Sequence, residues 1–163
     1  MTITASQIQS ASQALRAVLR FDYPADAVLS RYFRDLRELG ARDRAFVAEA
    51  VYGVLRRKRM LERLCGPEVS PRQLVLAWLA RVEGLTLRQL GEGLHGRDTD
   101  FFTAIKGREL PEGSLAETTD LPEWLAERLL ATRTPEQVQA LAQSLNRPAP
   151  LDLRVNPLKL DRD

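Results

Sequence analysis

The residues best suited to chemistry in this sequence are arginines. Arg56, Arg57, Lys58 and Arg59 form one basic run, Arg63 follows it, and Arg42 precedes it. At about 100° per residue, a helix places Arg56, Arg59 and Arg63 in a narrow arc opposite Val47, Val51, Val54 and Leu61. Arg42 projects from the same outer surface, where Glu49 partly offsets it, while Arg57 falls between the two faces. Lys58 lies beside the apolar side and has to snorkel. A guanidinium is a planar fork that stays charged and bonds two phosphate oxygens at once. Several on one solvated face displace counterions from a nucleic-acid backbone, giving salt-dependent binding with little sequence preference. The same run also suits a solvated helix end, where cations complement the macrodipole. Charge alone leaves both readings open, and a nuclear-localisation patch is a weaker third because such runs are common.

Other chemical groups carry less. His95 stands alone in a Gly-flanked turn with no Ser, Cys or carboxylate placed to work with it, so it reads as a surface residue. Cys65 follows the apolar positions Leu61 and Leu64 and reads as a small, partly buried residue rather than a nucleophile. One cysteine excludes an internal disulfide and any multi-cysteine metal site. No Gly-rich phosphate loop follows a strand. The sequence therefore presents no catalytic, cofactor-binding or metal-ligating constellation.

Hydrophobic residues at 44% against 28% charged can build a packed core, which argues against general disorder. No apolar run reaches the roughly 18 residues of a membrane span, and "MTITASQIQS" lacks the basic and apolar regions of a signal peptide. A cytoplasmic protein with no membrane partner is expected. The net charge of +2 conceals an asymmetry. Residues 1–81 carry 14 Lys or Arg against 8 Asp or Glu, whereas residues 82–163 carry 10 against 14. A basic half of this kind suits a polyanionic partner.

The elements that must position these arginines are helices. Ile8, Ala11, Leu15, Val18 and Leu19 give a first helix its apolar stripe. Pro24 opens a second, with Val28, Leu29, Tyr32, Phe33 and Leu36 inward and Gly40 as its C-terminal breaker. The third spans "ARDRAFVAEAVYGVLRRKRMLERLC" without interruption, and Gly53 in its middle suggests that another helix packs close. Ser70, Pro71 and Gln73 make a capping box for "PRQLVLAWLARVEG", with Trp78 in the core. A short helix follows Thr86. Residues 96–119 read mostly as loop, with a brief helix near Phe101–Ile105. Asp120 and Glu123 bracket Pro122 at the start of "LPEWLAERLLA", where Trp124 takes a stripe position. Thr134, Pro135 and Gln137 cap a last helix ending before "NRPAP". The expectation is an all-α bundle of about seven helices over residues 1–146, with a connector over 147–163.

That connector holds a puzzle. Leu151, Leu153 and Val155 alternate with Asp152, Arg154 and Asn156, the period of a half-buried strand. A lone strand has no ladder partner for its backbone.

Two stretches together resemble a known family. "LGARDRAFVAEAVYGVLRRKRMLERL" (39–64) is similar to the signature of the NusB-like domain that precedes the catalytic part of bacterial ribosomal RNA cytosine methyltransferases of the Nol/Nop/Sun family. "LAQSLNRPAPLDLRVNPLK" (141–159) resembles the segment that joins the two parts, and the likeness to the Sun type covers most of the chain. The resemblance implies a NusB-like bundle that holds ribosomal RNA, with Arg42, Arg56, Arg57, Arg59, Arg63 and Arg154 as candidate contacts. It also implies that Leu151–Asn156 is the first strand of a truncated α/β subdomain. The S-adenosylmethionine pocket and the two working cysteines would lie in a portion absent from this chain, and Cys65 matches neither cysteine motif. Other possibilities are a module that docks a protein, its own catalytic domain or a second copy through Phe101, Phe102 and Trp124, and a stand-alone NusB-like antitermination factor. Methylating cytosine at carbon 5 requires a thiolate to add at carbon 6 and a base to remove the carbon-5 proton, and the sequence offers neither group. The purified chain should therefore transfer no methyl group from S-adenosylmethionine to RNA, and radiolabel incorporation above a blank would contradict this.

Overall fold

A computed structural model of the chain describes residues 3–66, 68–90, 93–147 and 156. Among these residues it shows ten helices and no strand. They are α1 (Ala5–Val18), α2 (Ala25–Asp35), α3 (Ala41–Arg56), α4 (Lys58–Cys65), α5 (Pro71–Arg81), α6 (Leu87–Leu90), α7 (Arg97–Gly107), α8 (Leu115–Thr119), α9 (Glu123–Leu130) and α10 (Pro135–Leu145). The all-α expectation holds for the described residues. Residues 151–155 of the predicted strand, Arg154 among them, lie outside the described residues.

α5 is the axis of the larger core. Every residue from Leu74 to Ala80 is buried, the all-round burial of a helix surrounded by others. α1, α3, α4 and α7 pack on it. Its N-terminus carries the expected capping box, with Ser70 and Gln73 satisfying each other's backbone N–H. α10 has the same device in Thr134 and Gln137, and so do Thr4 and Gln7 at α1. A second, smaller core gathers Ala116, Leu121, Ala126, Val138 and Ala142 from α8, α9 and α10 and the residues between them.

Several sequence readings are corrected. Gly40 does not close α2, which ends at Asp35. It is instead the extended N-cap of α3, at φ −66° and ψ 166°. The 96–119 stretch contains the whole of α7, which buries Phe102 and Ile105 completely or nearly so, and then α8. Its polar residues hid this because α7 needs only a narrow apolar stripe against α5. Phe102 is thus unavailable as a docking residue, and Phe101 is half-buried. Trp124, expected in the core, is 65% exposed. α9 is short and its buried contact is Ala126, so a stripe position on it need not face a core.

The largest correction concerns the long third helix, which breaks at Arg57 (φ −116°, ψ 20°) into α3 and α4. An apolar stripe continuing from Val54 would need a core residue at 57 or 58, and the chain supplies Arg57 and Lys58. A continuous helix would also turn Met60 toward the outer face. The break swings α4 so that Met60, Leu61 and Leu64 are all buried.

Gly53 does mark a close approach. A Cβ there would overlap the indole ring of Trp78 on α5. Alanine improves helix propensity by about 1 kcal/mol, but overpacking typically costs about 1–3 kcal/mol. Gly53→Ala should therefore lower the urea midpoint, with an unchanged denaturant slope.

Candidate nucleic-acid interface

The break at Arg57 divides the arginine cluster into two populations. Arg42 and Arg56 remain on the outer face of α3. Both are exposed, and neither forms an ion pair or side-chain hydrogen bond among the described residues. They are about 21 Å apart along the axis at 1.5 Å per residue and about 40° apart around it, with exposed Glu49 between. Arg56 joins Arg57, Arg81, Glu49 and Glu83 around an open cleft of ≈ 400 Å³. Burial and the charge of Glu49 raise the Glu83 carboxyl above its ordinary range, and Arg56 pulls it back.

The second population turns toward the small core. Arg57 Nη1 lies 3.2 Å from Asp120 Oδ2. Arg59 Nη1 is 3.4 Å from Glu123 Oε1, both side chains being partly exposed. Arg63 donates through Nη2 to the carbonyl of Pro111. Its guanidinium also covers Gly113, where any Cβ would overlap it. These three arginines, of which Arg59 and Arg63 are expected on the solvated face and Arg57 between the faces, join α4 to the segment running from Pro111 into α9. Lys58 pairs with Glu62 at 2.6 Å, one helical turn along.

Asp120 is the centre of this joint. It sits at the C-cap of α8 in the left-handed region, φ 60° and ψ 20°, which aspartate tolerates better than most residues. Its side chain is 3% exposed. Oδ1 accepts the backbone N–H of Met60 at 2.8 Å. Met60 is the third residue of α4, and α4 has no side-chain cap of its own. Asp120 therefore caps α4 from a distant part of the chain, satisfying one of the N–H groups that a helix start leaves open. Oδ2 is buried without a hydrogen bond of good geometry, so Arg57 acts on it by charge rather than by a directed bond. Burial raises the Asp120 carboxyl above its ordinary value. The Met60 N–H and then Arg57, Arg63 and Arg59 oppose that rise. Sequence reading placed Asp120 at the start of α9. No local pattern shows that its partner is Met60.

Other arginines serve as long-range caps. Arg81 donates to the carbonyls of Lys106 and Arg108 at 3.1 and 2.6 Å, closing the end of α7. Arg108 donates to the carbonyl of Leu64 at 3.0 Å near the end of α4. Cys65 beside it is half-buried, and burial pushes its thiol up to about 11, with Arg108 pulling the other way. A thiol held so high is a poor nucleophile at neutral pH. His95 is exposed. Among the described residues no group of His, Cys, Asp or Glu could hold a metal ion, and no helix is long and apolar enough to cross a membrane.

These features define an all-helical module with free arginines on one helix and a buried carboxylate–arginine joint beside them. Residues 121–163 match the family model described as "Methyltr_RsmF/B-like, ferredoxin-like domain". A curated relative from Synechocystis sp., named "Probable ribosomal RNA small subunit methyltransferase B", is 26% identical over 186 aligned positions. That alignment takes in 94% of this chain but 42% of the relative. No solved structure matches significantly. Both matches agree with the resemblance read from the sequence, and the chain spans less than half the length of the methyltransferase it matches. The matched segment begins at Leu121, a residue of the second core.

Replacing Asp120 tests the joint. Asp120→Ala loses the cap and leaves Arg57 without its anion, and should destabilise the fold by about 1–2 kcal/mol in urea melts. Asp120→Asn keeps an acceptor for Met60. Folding raises the Asp120 pKa, so the native state takes up this proton before the unfolded chain does. The contribution of Asp120 to stability is thus greatest below its ordinary value of 3.8 and falls as pH rises through the folded value. The Asn variant should gain on the wild type as pH rises through that window. A parallel pH profile for the two proteins would show that Asp120 does not titrate as described.

Proposed function

We propose that the chain is the RNA-holding helical module of a cytoplasmic, S-adenosylmethionine-dependent methyltransferase that makes 5-methylcytosine in ribosomal RNA. The catalytic cysteines and the cofactor pocket would lie in other parts of the longer protein. The two comparisons support the family. The single observation supporting RNA contact is the pair of exposed, ion-pair-free guanidiniums, Arg42 and Arg56, on one face of α3. RNA helices are held mainly through shape and phosphates, which suits separated arginines without a stacking platform between them. Arg57, Arg59 and Arg63 contribute indirectly, by fixing α4 and the small core relative to α3. Arg154, outside the described residues, remains a candidate contact on the strength of the resemblance alone.

This division of labour can be measured. In a salt-titrated binding assay with a small-subunit ribosomal RNA fragment, Arg42→Glu with Arg56→Glu should weaken binding at least tenfold. It should also reduce the slope of log affinity against log salt by about 2, one for each guanidinium taken away from a phosphate. Unchanged affinity and slope would refute the RNA role. Arg59→Gln should leave the slope within error, because Arg59 already faces Glu123.

A further inference from the structure

The corner between α1 and α2 forms a second cationic surface, separate from Arg42 and Arg56. Beyond the α1 C-cap Leu19, the chain passes through Arg20, Phe21, Asp22 and Tyr23 before α2 begins. Phe21 adopts φ 55°, a left-handed conformation that is unfavourable for a residue with a Cβ and rare for a bulky one. Its N–H donates to the Val18 carbonyl at 3.0 Å, which holds the turn. The turn leaves the Phe21 ring 64% exposed and the Tyr23 ring, two residues on, 69% exposed. Neither aromatic joins the hydrophobic cores. Backbone strain that serves to present an apolar ring to water points toward a ligand.

Tyr23 lines a groove of ≈ 380 Å³ between the two helices, whose charged lining is Arg20, Arg31, Arg34 and Asp22. Asp22 pairs with Arg20 at 2.9 Å. Three guanidiniums against one carboxylate leave a net +2 in the groove. Arg31 and Arg34 are three residues apart on α2, exposed, and without an ion pair among the described residues. The floor is apolar, from Ala17, Ala27 and Val28. Aromatic rings beside phosphate-binding arginines are the combination that binds unpaired nucleotides: bases stack on the rings while the cations follow the backbone. A duplex cannot use it, because its bases are already stacked on each other.

We propose that this corner binds single-stranded RNA, with Phe21 and Tyr23 as base-stacking platforms and Arg31 and Arg34 on the phosphates. The inference rests on the RNA reading above for its class of ligand, but it uses none of the same residues.

The test is fluorescence anisotropy on the whole chain, with a labelled single-stranded oligoribonucleotide of about 12 nucleotides and an RNA duplex of equal length. Phe21→Ala with Tyr23→Ala should weaken single-strand binding about tenfold or more and leave duplex binding within about twofold. Arg31→Gln with Arg34→Gln should reduce the single-strand salt slope by about 1–2. Phe21→Gly with Tyr23 retained removes one ring while relieving the turn, and should lose affinity despite unchanged or higher thermal stability. Retained single-strand affinity in the aromatic double variant overturns the proposal. So does competition by poly-glutamate as strong as that by the oligonucleotide, which would mark an indiscriminate cationic patch. If the wild type binds duplex but not single strands, the corner fails and the Arg42–Arg56 reading stands. If single strands bind through the corner while the Arg42–Arg56 variant keeps full affinity for the ribosomal fragment, that reading fails and the corner stands. Binding of neither RNA overturns both.

Discussion

The arrangement depends on one bond, from the Met60 backbone N–H to Asp120 Oδ1. A helix that starts immediately after another has ended has no room for its own cap, and the residue at that junction is Arg57, which cannot accept a hydrogen bond. The open N–H groups at the start of α4 must then find an acceptor elsewhere. Asp120 supplies it from the turn between α8 and α9. The two hydrophobic cores are thereby linked through a polar contact as well as through packing. The arginines around Asp120 follow from its burial. A carboxylate taken out of water is costly unless cations and donors compensate it, and Arg57, Arg59 and Arg63 all lower the energy of its charged form. The peripheral Arg59–Glu123 pair is half-exposed and adds little to stability on its own.

Much of the helical layout was legible locally. α1, α5 and α10 announced themselves by apolar periodicity, and the Ser70 and Thr134 capping boxes appear as read. Gly53 marks the close approach of another helix, α5, whose Trp78 ring fills the space a Cβ would need. The failures share one cause, which is that period and partner are different kinds of information. Val54 and Leu61 fit a single stripe, so the α3–α4 break could be found only by noticing that Arg57 and Lys58 occupy positions where the stripe required a core residue. Asp120 beside Pro122 looked like a local helix start, and its actual role depends on a contact sixty residues away in sequence. Trp124 shows the limit from the other side, since a residue can keep the rhythm of a core stripe on a helix too short to bury it.

The same distinction applies to the arginines. A run of cations in sequence is a charge count, whereas a binding surface requires cations that lack carboxylate partners. Residues 1–81 carry a surplus of six positive charges, yet Arg57 and Arg59 face carboxylates, Arg63 holds a backbone carbonyl, and Arg72 grips Asp98 at 2.6 Å. Among the described residues, the exposed arginines without an ion pair include Arg42 and Arg56 on α3 and Arg31 and Arg34 on α2, and only Arg56 of these belongs to the basic run. Counterion release depends on the cations that actually meet phosphate, so these dispersed residues carry the argument for RNA.

Position then joins the joint to the proposed function. α3 displays Arg42 and Arg56, α4 is fixed to the end of α3 by the break at Arg57, and α4 is capped by Asp120, one residue before the segment that matches a ferredoxin-like methyltransferase domain. If α3 holds RNA, the path from it to the start of that segment runs through α4 and the Met60–Asp120 bond. A buried, partly compensated carboxylate is a poor choice for stability alone, since apolar replacements of such groups are often neutral or better. It is a good choice for fixing one orientation, because its hydrogen bond to the start of α4 is satisfied in a single geometry.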